Sequence, residues 1–358
     1  MFTDNDRRIV FENQEINNCY TNNMSNKIIR TICYFQKDPN EQTFQKLDEL
    51  ESLFKKSGFE VQTKRLCSPN IEKIIELDKT YSAKGYFLST GTVDKDKIDI
   101  LLRTNNIAFN YDLTNKEINL QDVDILFNII KNAPAKTFNF TYVFNNPTSS
   151  PFFPAAHYEN DGFTVGFQPT DLAEGCKTIN EWLLKMKKTW FQSIDRLKHS
   201  QDFLGIDSSI APFADGKGSL INFIKKISGS FEKSVTTNIY TQITEFIKEE
   251  NPKPVGLCGL MFPCLEDFEL TEEYEKGNFS IERNIYLSLH SGVGIDTYPI
   301  GVDEKPERVL EIFKLLQNLS NKYKKPLSAR FVSDGKAKIG AKTDFKNQYL
   351  KDVIARPI

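Results

Sequence analysis

The sequence has few cysteines, few histidines and no long apolar run, and each shortage argues against a class of protein. Its six cysteines are scattered over 358 residues without a Cys-x-x-Cys pair, which argues against a disulfide framework or a zinc knuckle. The three histidines show no metal-binding spacing such as His-Glu-x-x-His. The longest nearly apolar run, residues 256–265, is about half the length that a membrane-spanning helix needs. We therefore expect no membrane insertion.

An excess of charge of one sign is also missing. The chain carries 46 Lys and Arg against 48 Asp and Glu, a formal net charge of −2, so we expect no nucleic-acid partner. The first residues contain no basic patch followed by an apolar core, so we expect no signal peptide and a cytoplasmic location. Hydrophobic residues make up 39% and phenylalanine occurs 28 times, which is enough for a large core and excludes global disorder.

Two regions differ in their periodicity. Residues 1–26 are polar, rich in asparagine and without a sustained period, and we interpret them as an extension. From residue 27 onward, β-branched and aromatic stretches alternate with amphipathic helices, ending with a helix that has Pro306 in its first turn and a strand at residues 327–332. That alternation predicts parallel strands joined by crossover helices. Because no linker interrupts residues 27–358, we predict one large α/β domain over that range.

An internal repeat is the most informative motif. Gly-Ile-Asp-Ser at 205–208 recurs as Gly-Ile-Asp-Thr at 294–297, and each copy ends an apolar stretch. The carboxyl ends of parallel strands form the ligand face of such folds, so we expect Asp207 and Asp296 to converge there. They would act as an acid and base pair or as ligands of a divalent metal, and neighbouring hydroxyls would orient the substrate: Ser208, Ser209 and Thr297. Helix capping is the alternative for all of these residues.

Two loops supply further candidates. In the loop at residues 211–219, glycines precede a helix, so that backbone N–H groups near Gly218 and the charge of Lys217 would hold an anion. A tight turn is the alternative. The proline-flanked run at residues 150–158 contains His157, which would be an accessory base if it lined a pocket and is otherwise a structural histidine.

Charged side chains next to apolar strands complete the candidate site. Arg30 and Arg65 are in or beside predicted strands, where a buried guanidinium needs a partner of the protein or of a ligand. Lys336 follows the last strand and would contact an anion. Glu266 and Asp267 close the apolar run, where they either enter a site or cap the next helix.

These segments resemble one uncharacterised family across nearly the whole of residues 27–358. It is the pyruvate-formate-lyase-like family known as domain of unknown function seven hundred and eleven. The resemblance is carried by residues 27–35, 58–65, 151–156, 207–209 with 211–212, 294–297 with 299–300, and 335–336 with Gly340. It implies a large single-domain α/β barrel similar to that of glycyl-radical enzymes, and no established activity.

Glycyl-radical chemistry itself is not what the sequence predicts. That chemistry uses a glycine in an Arg-Val-x-Gly-aromatic context, whereas residues 338–341 read Lys-Ile-Gly-Ala. Cys264 and Glu266 keep a Cys-x-Glu spacing, but Pro263 stands where a glycine is expected. A shared fold does not transfer chemistry.

The sequence therefore predicts a cytosolic enzyme that acts on a small anionic metabolite at the mouth of a barrel. The paired Asp and Ser/Thr strand ends would carry the reaction, and metal-assisted hydrolysis or a lyase reaction is one version of it. A non-catalytic metabolite sensor on the same fold is the alternative. The sequence does not identify the substrate, and it leaves homo-oligomerisation open.

Overall fold

The computed structural model describes residues 27–197 and 200–358 and contains one mixed sheet flanked by helices. The predicted extension at residues 1–26 lies outside the described residues. The strands are β1 (Lys27–Phe35), β2 (Phe59–Val61), β3 (Lys64–Cys67), β4 (Tyr86–Thr92), β5 (Ile107–Asp112), β6 (Phe140–Phe144), β7 (Gly162–Phe167), β8 (Phe203–Asp207), β9 (Gly294–Pro299) and β10 (Leu327–Val332). The helices are α1 (Glu41–Lys56), α2 (Ile71–Tyr81), α3 (Lys95–Leu102), α4 (Leu120–Asn132), α5 (Ile179–Leu197), α6 (Leu220–Ser228), α7 (Phe231–Val235), α8 (Ile239–Glu249), α9 (Phe268–Glu275), α10 (Ile281–His290) and α11 (Pro306–Tyr323).

The ten strands lie in the order β8-β7-β1-β3-β4-β5-β6-β10-β9, with β2 also paired to β1. The alternation of strands and helices is confirmed, but the expectation of parallel pairing throughout is wrong at two junctions. Strand β7 pairs antiparallel with β1, and β10 pairs antiparallel with β6. The connection from β6 to β7, residues 145–161, contains no helix, so β7 does not enter the sheet through a helical crossover.

The regular strands do not close into a ring, because β8 and β9 remain at the two edges. An irregular segment, residues 254–263, lies between these edges. Isolated parallel bridges join it to one side through Ile206–Pro254 and Ile210–Leu260, and to the other through Leu260–Gly292 and Pro263–Asp296. The barrel that the sequence predicts is thus not confirmed by regular strand pairing alone.

The last strand and the helix before it match their predictions closely. Helix α11 begins at Pro306, which fits the first turn because proline has no N–H to leave unpaired there. The helix packs Val309, Ile312 and Leu316 into the core. Strand β10 covers residues 327–332 as expected, so local periodicity was sufficient to locate both elements.

The two glycines of the internal repeat lie where the backbone conformation and a neighbouring chain segment leave no room for a side chain. Gly205 has φ of 156° and Gly294 has φ of 109°, both outside the range that side chains favour. A Cβ atom on Gly205 would lie 2.5 Å from the Lys253 carbonyl oxygen, and one on Gly294 would lie 2.2 Å from the Ser328 carbonyl oxygen. The repeat therefore marks two places where the neighbouring chain approaches too closely for any side chain.

None of the helices in the described residues is both long and apolar enough to cross a membrane.

The close approach at Gly294 is testable by alanine substitution. We expect Gly294→Ala to lower the free energy of unfolding by at least about 3 kcal/mol, because it combines backbone strain with a clash against strand β10. Gly175→Ala is the matched control: Gly175 has φ of 75° but open space around its Cβ position, so only the strain of about 1–2 kcal/mol remains. Urea unfolding of both variants measures the difference, and equal losses would contradict the steric role of Gly294.

Candidate functional site

A cavity of about 160 Å³ is lined by side chains from most of the sheet. Its wall includes one or more residues of β1, β3, β4, β5, β6, β9 and β10. Residues 152–155 and several residues of the run from Leu257 to Glu266 complete it, together with Tyr349 from the segment after β10. The ring of Tyr349 stacks on Phe138 at 6.5 Å between centroids and contacts Phe213 at 5.8 Å.

A buried ion triad forms one part of the wall. Arg330 donates from Nε to Asp296 Oδ1 and from Nη2 to Glu266 Oε1, both at 2.6 Å. Its Nη1 donates to the Phe138 carbonyl oxygen at 3.3 Å, and Arg330 as a whole is 7% exposed. Burial alone would lower the pKa of Arg330, but the two carboxylates raise it above its ordinary value.

Glu266 in this triad has a perturbed carboxyl group. Burial raises the pKa of Glu266 above its ordinary value, against the attraction of Arg330, and the nearby carboxylate of Asp296 raises it further. A carboxyl group with a raised pKa inside a cavity is a candidate for proton transfer.

Two further arginines enter the cavity without forming an ion pair with any carboxylate in the described part of the chain. Arg30 donates to Gln62 Oε1 at 2.9 Å, and its guanidinium lies over the Phe213 ring at 4.3 Å. Arg65 donates to Thr63 Oγ1 at 3.2 Å and to the Pro151 carbonyl oxygen at 3.3 Å. These partners are neutral, so neither arginine has a carboxylate in direct contact, and the charge of Glu266 offsets the burial of both only in part.

Both arginines have a lowered pKa because burial disfavours their charged forms. Burial, and after it the nearby guanidinium of Arg30, lower the pKa of Arg65 to about 9. Burial also lowers the pKa of Arg30. A negative charge placed between them would favour the protonated forms, so the arrangement is suited to an anion.

Asp207 differs from Asp296 in its surroundings, although the sequence predicts that they form a pair. Asp296 lines the cavity, whereas Asp207 does not, and Asp207 is fully buried. Five donors contact its carboxylate: Ser150 Oγ at 2.7 Å, Ser209 Oγ at 2.6 Å, and the backbone N–H groups of Ser209, Leu257 and Cys258 at 3.0, 2.9 and 3.1 Å. These bonds occupy its lone pairs, so this carboxylate is suited to fixing the backbone at residues 257–258 and has no free position for a metal.

The predicted hydroxyl groups bind the protein instead of lining the cavity. Ser208 Oγ donates to the Ile247 carbonyl oxygen at 2.7 Å, and Ser209 Oγ accepts from the Gly259 N–H at 3.2 Å. Thr297 Oγ1 accepts from the Leu265 N–H at 3.4 Å. These hydroxyl groups bind backbone groups of the protein, but Gly259 and Leu265 lie outside the helices, so the contacts of Ser209 and Thr297 are not helix caps. Across residues 27–197 and 200–358, no group of three or more His, Cys, Asp and Glu side chains is arranged to hold a metal ion.

Of the remaining predicted residues, Arg65 lines the cavity, as described above, and the others lie outside its lining. His157 lies outside the lining, and its Nδ1 is 2.9 Å from Thr92 Oγ1. Lys217 and Lys336 are exposed and also lie outside the lining. Gly218 belongs to a tight turn, where a Cβ atom would lie 2.0 Å from the Phe213 carbonyl oxygen.

Arg330 was missed by the sequence reasoning, although a signal for it exists. It lies in the strand Leu327–Val332 between buried Ala329 and Phe331, the same pattern that drew attention to Arg65. Glu266 and Asp267 take one role each: Glu266 enters the cavity, and Asp267 caps α9 by accepting from the Leu270 N–H at 3.3 Å.

The cysteine and glycine considered for radical chemistry do not meet in the cavity. Cys264 is buried in the core, Gly340 is exposed, and neither lines the cavity.

A structural role for Asp207 predicts a large loss of stability on truncation. We expect Asp207→Ala to lower the free energy of unfolding by about 3 kcal/mol or more, because it leaves several buried donors without an acceptor. Asp215→Ala is the control, since Asp215 is exposed and its side chain makes no capping bond, and a change within about 0.5 kcal/mol is expected. Denaturant unfolding compares them, and a stable Asp207→Ala protein would argue against this role.

Comparison with known proteins identifies the family of the chain but assigns no activity to it. No curated protein matches the chain. A family model described as "Uncharacterised ACR (DUF711)" matches residues 95–346, more than half of the chain. The match includes Glu266, Asp296 and Arg330 and begins after Arg30 and Arg65. The family that the sequence motifs indicate is thereby confirmed, and the chain belongs to the uncharacterised family DUF711.

Proposed function

We propose that residues 27–358 form a single barrel-like domain and that its cavity binds a small anionic metabolite. The barrel is supported by the isolated bridges that join residues 254–263 to both edges of the sheet. It is also supported by the cavity lining, which draws on strands from β1 to β10. Free thiols buried in the core support a reducing compartment such as the cytoplasm: Cys33, Cys67, Cys258 and Cys264.

The unpaired charge of Arg30 and Arg65 is the observation that carries this proposal. Removing a charge from water costs several kcal/mol unless an opposite charge compensates it. The lowered pKa values of both arginines express that cost. Guanidinium groups bind planar carboxylates and phosphates through two parallel hydrogen bonds, so a small organic or inorganic anion is the ligand that fits.

We further propose that the protein is an enzyme in which the Glu266 carboxylate accepts a proton from the bound anion. The raised pKa of Glu266 and its position on the cavity wall support this role. Arg330, itself bound to Asp296, would hold the Glu266 carboxyl group in place. A version that uses a divalent metal has less support, because Asp207 is saturated by five donors and Asp296 is bound by Arg330.

Non-catalytic binding is the second candidate, and one observation favours it. Arg330 contacts both cavity carboxylates, so each has fewer lone pairs available for a substrate. Turnover of a bound anion by the wild-type protein, lost in Glu266→Gln while binding remains, would distinguish the enzyme from the sensor.

Loss of binding in an arginine variant tests the site. We expect at least one of acetate, pyruvate, phosphate and sulfate to raise the Tm of the wild-type protein. Replacing Arg65 by glutamine should weaken that binding by about 10–100-fold, because charged hydrogen bonds contribute about 1.5–3 kcal/mol. Calorimetric titration gives the affinities.

Lys217→Gln is the matched control for this experiment. It removes one positive charge from the loop that the sequence also predicts to hold an anion, but Lys217 is exposed and outside the cavity. Its affinity should equal that of the wild-type protein. If Lys217→Gln loses binding and Arg65→Gln keeps it, the anion site is the loop and the cavity proposal is wrong.

The lowered pKa of Arg65 predicts a pH dependence. Binding an anion requires the charged guanidinium, so affinity should be constant below the pKa of about 9 and fall as the pH rises through that value. Acetate suits the measurement because it stays a monoanion throughout, and Lys217→Gln should show the same decline. Constant acetate affinity between pH 7 and pH 10.5 would contradict a loss of the Arg65 proton near pH 9.

A further inference from the structure

We infer that the cavity selects small organic monoanions over dianions, an inference that rests on the proposed anion site. The charged side chains of the lining are three arginines and two carboxylates, which leaves a formal charge of +1: Arg30, Arg65, Arg330, Glu266 and Asp296. One negative charge on a ligand neutralises the cavity. A second negative charge on the ligand would find no uncompensated positive charge in the cavity.

The distribution of these charges strengthens the argument. The group formed by Arg330, Glu266 and Asp296 carries −1 as a whole, because one guanidinium holds two carboxylates. The charge on Glu266 acts on both Arg30 and Arg65 and offsets part of the burial that lowers their pKa values. A dianion at the two arginines would therefore experience the repulsion of a nearby negative group in a site of low dielectric constant.

Arg330 cannot bind a second negative charge of a ligand without breaking its own hydrogen bonds to the protein. Its Nε, Nη1 and Nη2 atoms each donate a hydrogen bond to the protein. Releasing either carboxylate would leave a largely buried charge without its partner, which is strongly destabilising. The available positive charge is thus that of Arg30 and Arg65, reduced by the triad.

The rest of the wall indicates an organic ligand. Five buried apolar residues form a cluster, and all of them line the cavity: Phe152, Ala211, Leu257, Met261 and Val293. The volume of about 160 Å³ is close to that of an engineered apolar cavity of about 150 Å³ that holds benzene. A carboxylate on a short hydrocarbon or carbonyl chain would match both the guanidiniums and this apolar wall.

Paired probes of similar size test the selectivity. Propionate and malonate differ in having one or two carboxylates, and sulfate is an inorganic dianion. By calorimetry at pH 7.5, we expect the wild-type protein to bind propionate at least about tenfold more tightly than malonate, a difference of about 1.4 kcal/mol.

Charge variants show whether the cavity causes that preference. Glu266→Gln and Asp296→Asn each preserve side-chain shape and raise the cavity charge to +2, so either should move the propionate-to-malonate affinity ratio toward malonate by about tenfold or more. Glu159→Gln removes an exposed carboxylate outside the lining and should leave the ratio unchanged. The Tm of each variant without ligand verifies that it is folded.

The outcomes separate this inference from the proposed function. Tighter binding of malonate or sulfate by the wild-type protein would overturn the selectivity and leave the anion site standing. A ratio that neither Glu266→Gln nor Asp296→Asn alters would also overturn it, because the preference would then not depend on cavity charge. If no small anion binds to the wild-type protein, the proposed function itself fails.

Discussion

The contact of Arg330 with Asp296 and Glu266 is the interaction on which the cavity depends. It joins strand β10 to strand β9 and to the run before helix α9, three parts of the chain that are distant in sequence. All three side chains are largely withdrawn from water, so none of them could lose its partners without a large energetic cost. The triad therefore fixes the wall of the cavity, and its net charge of −1 reduces the positive charge that Arg30 and Arg65 bring to it.

Aromatic rings contact the guanidinium groups of all three cavity arginines, although only Arg330 also forms ion pairs with carboxylates. The guanidinium of Arg30 lies over Phe213 at 4.3 Å, that of Arg65 over Phe153 at 4.9 Å, and that of Arg330 over Phe138 at 5.2 Å. A ring face attracts a cation without neutralising it. Phenylalanine, which the composition suggests is core material, thus also positions the positive charges of the cavity wall.

Local patterns were enough to predict the elements but not the partners of their side chains. The period of strand β10 and the proline at the start of helix α11 are properties of short stretches, and both elements were located from them. Arg65 was also identified locally, as a charge in an apolar strand. The environment of Asp207 could not be predicted in this way, because two of its donors belong to Leu257 and Cys258, which reach it only through the fold. The antiparallel placement of β7 beside β1 is likewise a property of long-range pairing.

The lining of the cavity has a consequence for how the protein is made. Arg30 lies in the first strand and Tyr349 in the segment after the last one, and both contribute to the same wall. Synthesis proceeds from the N-terminus at about 5–20 residues per second, so the first arginine waits many seconds on the ribosome for the final part of its surroundings. During that interval the wall of the cavity is incomplete and its first charged side chains are exposed to water. The cavity is therefore closed only when nearly the whole chain has been synthesised.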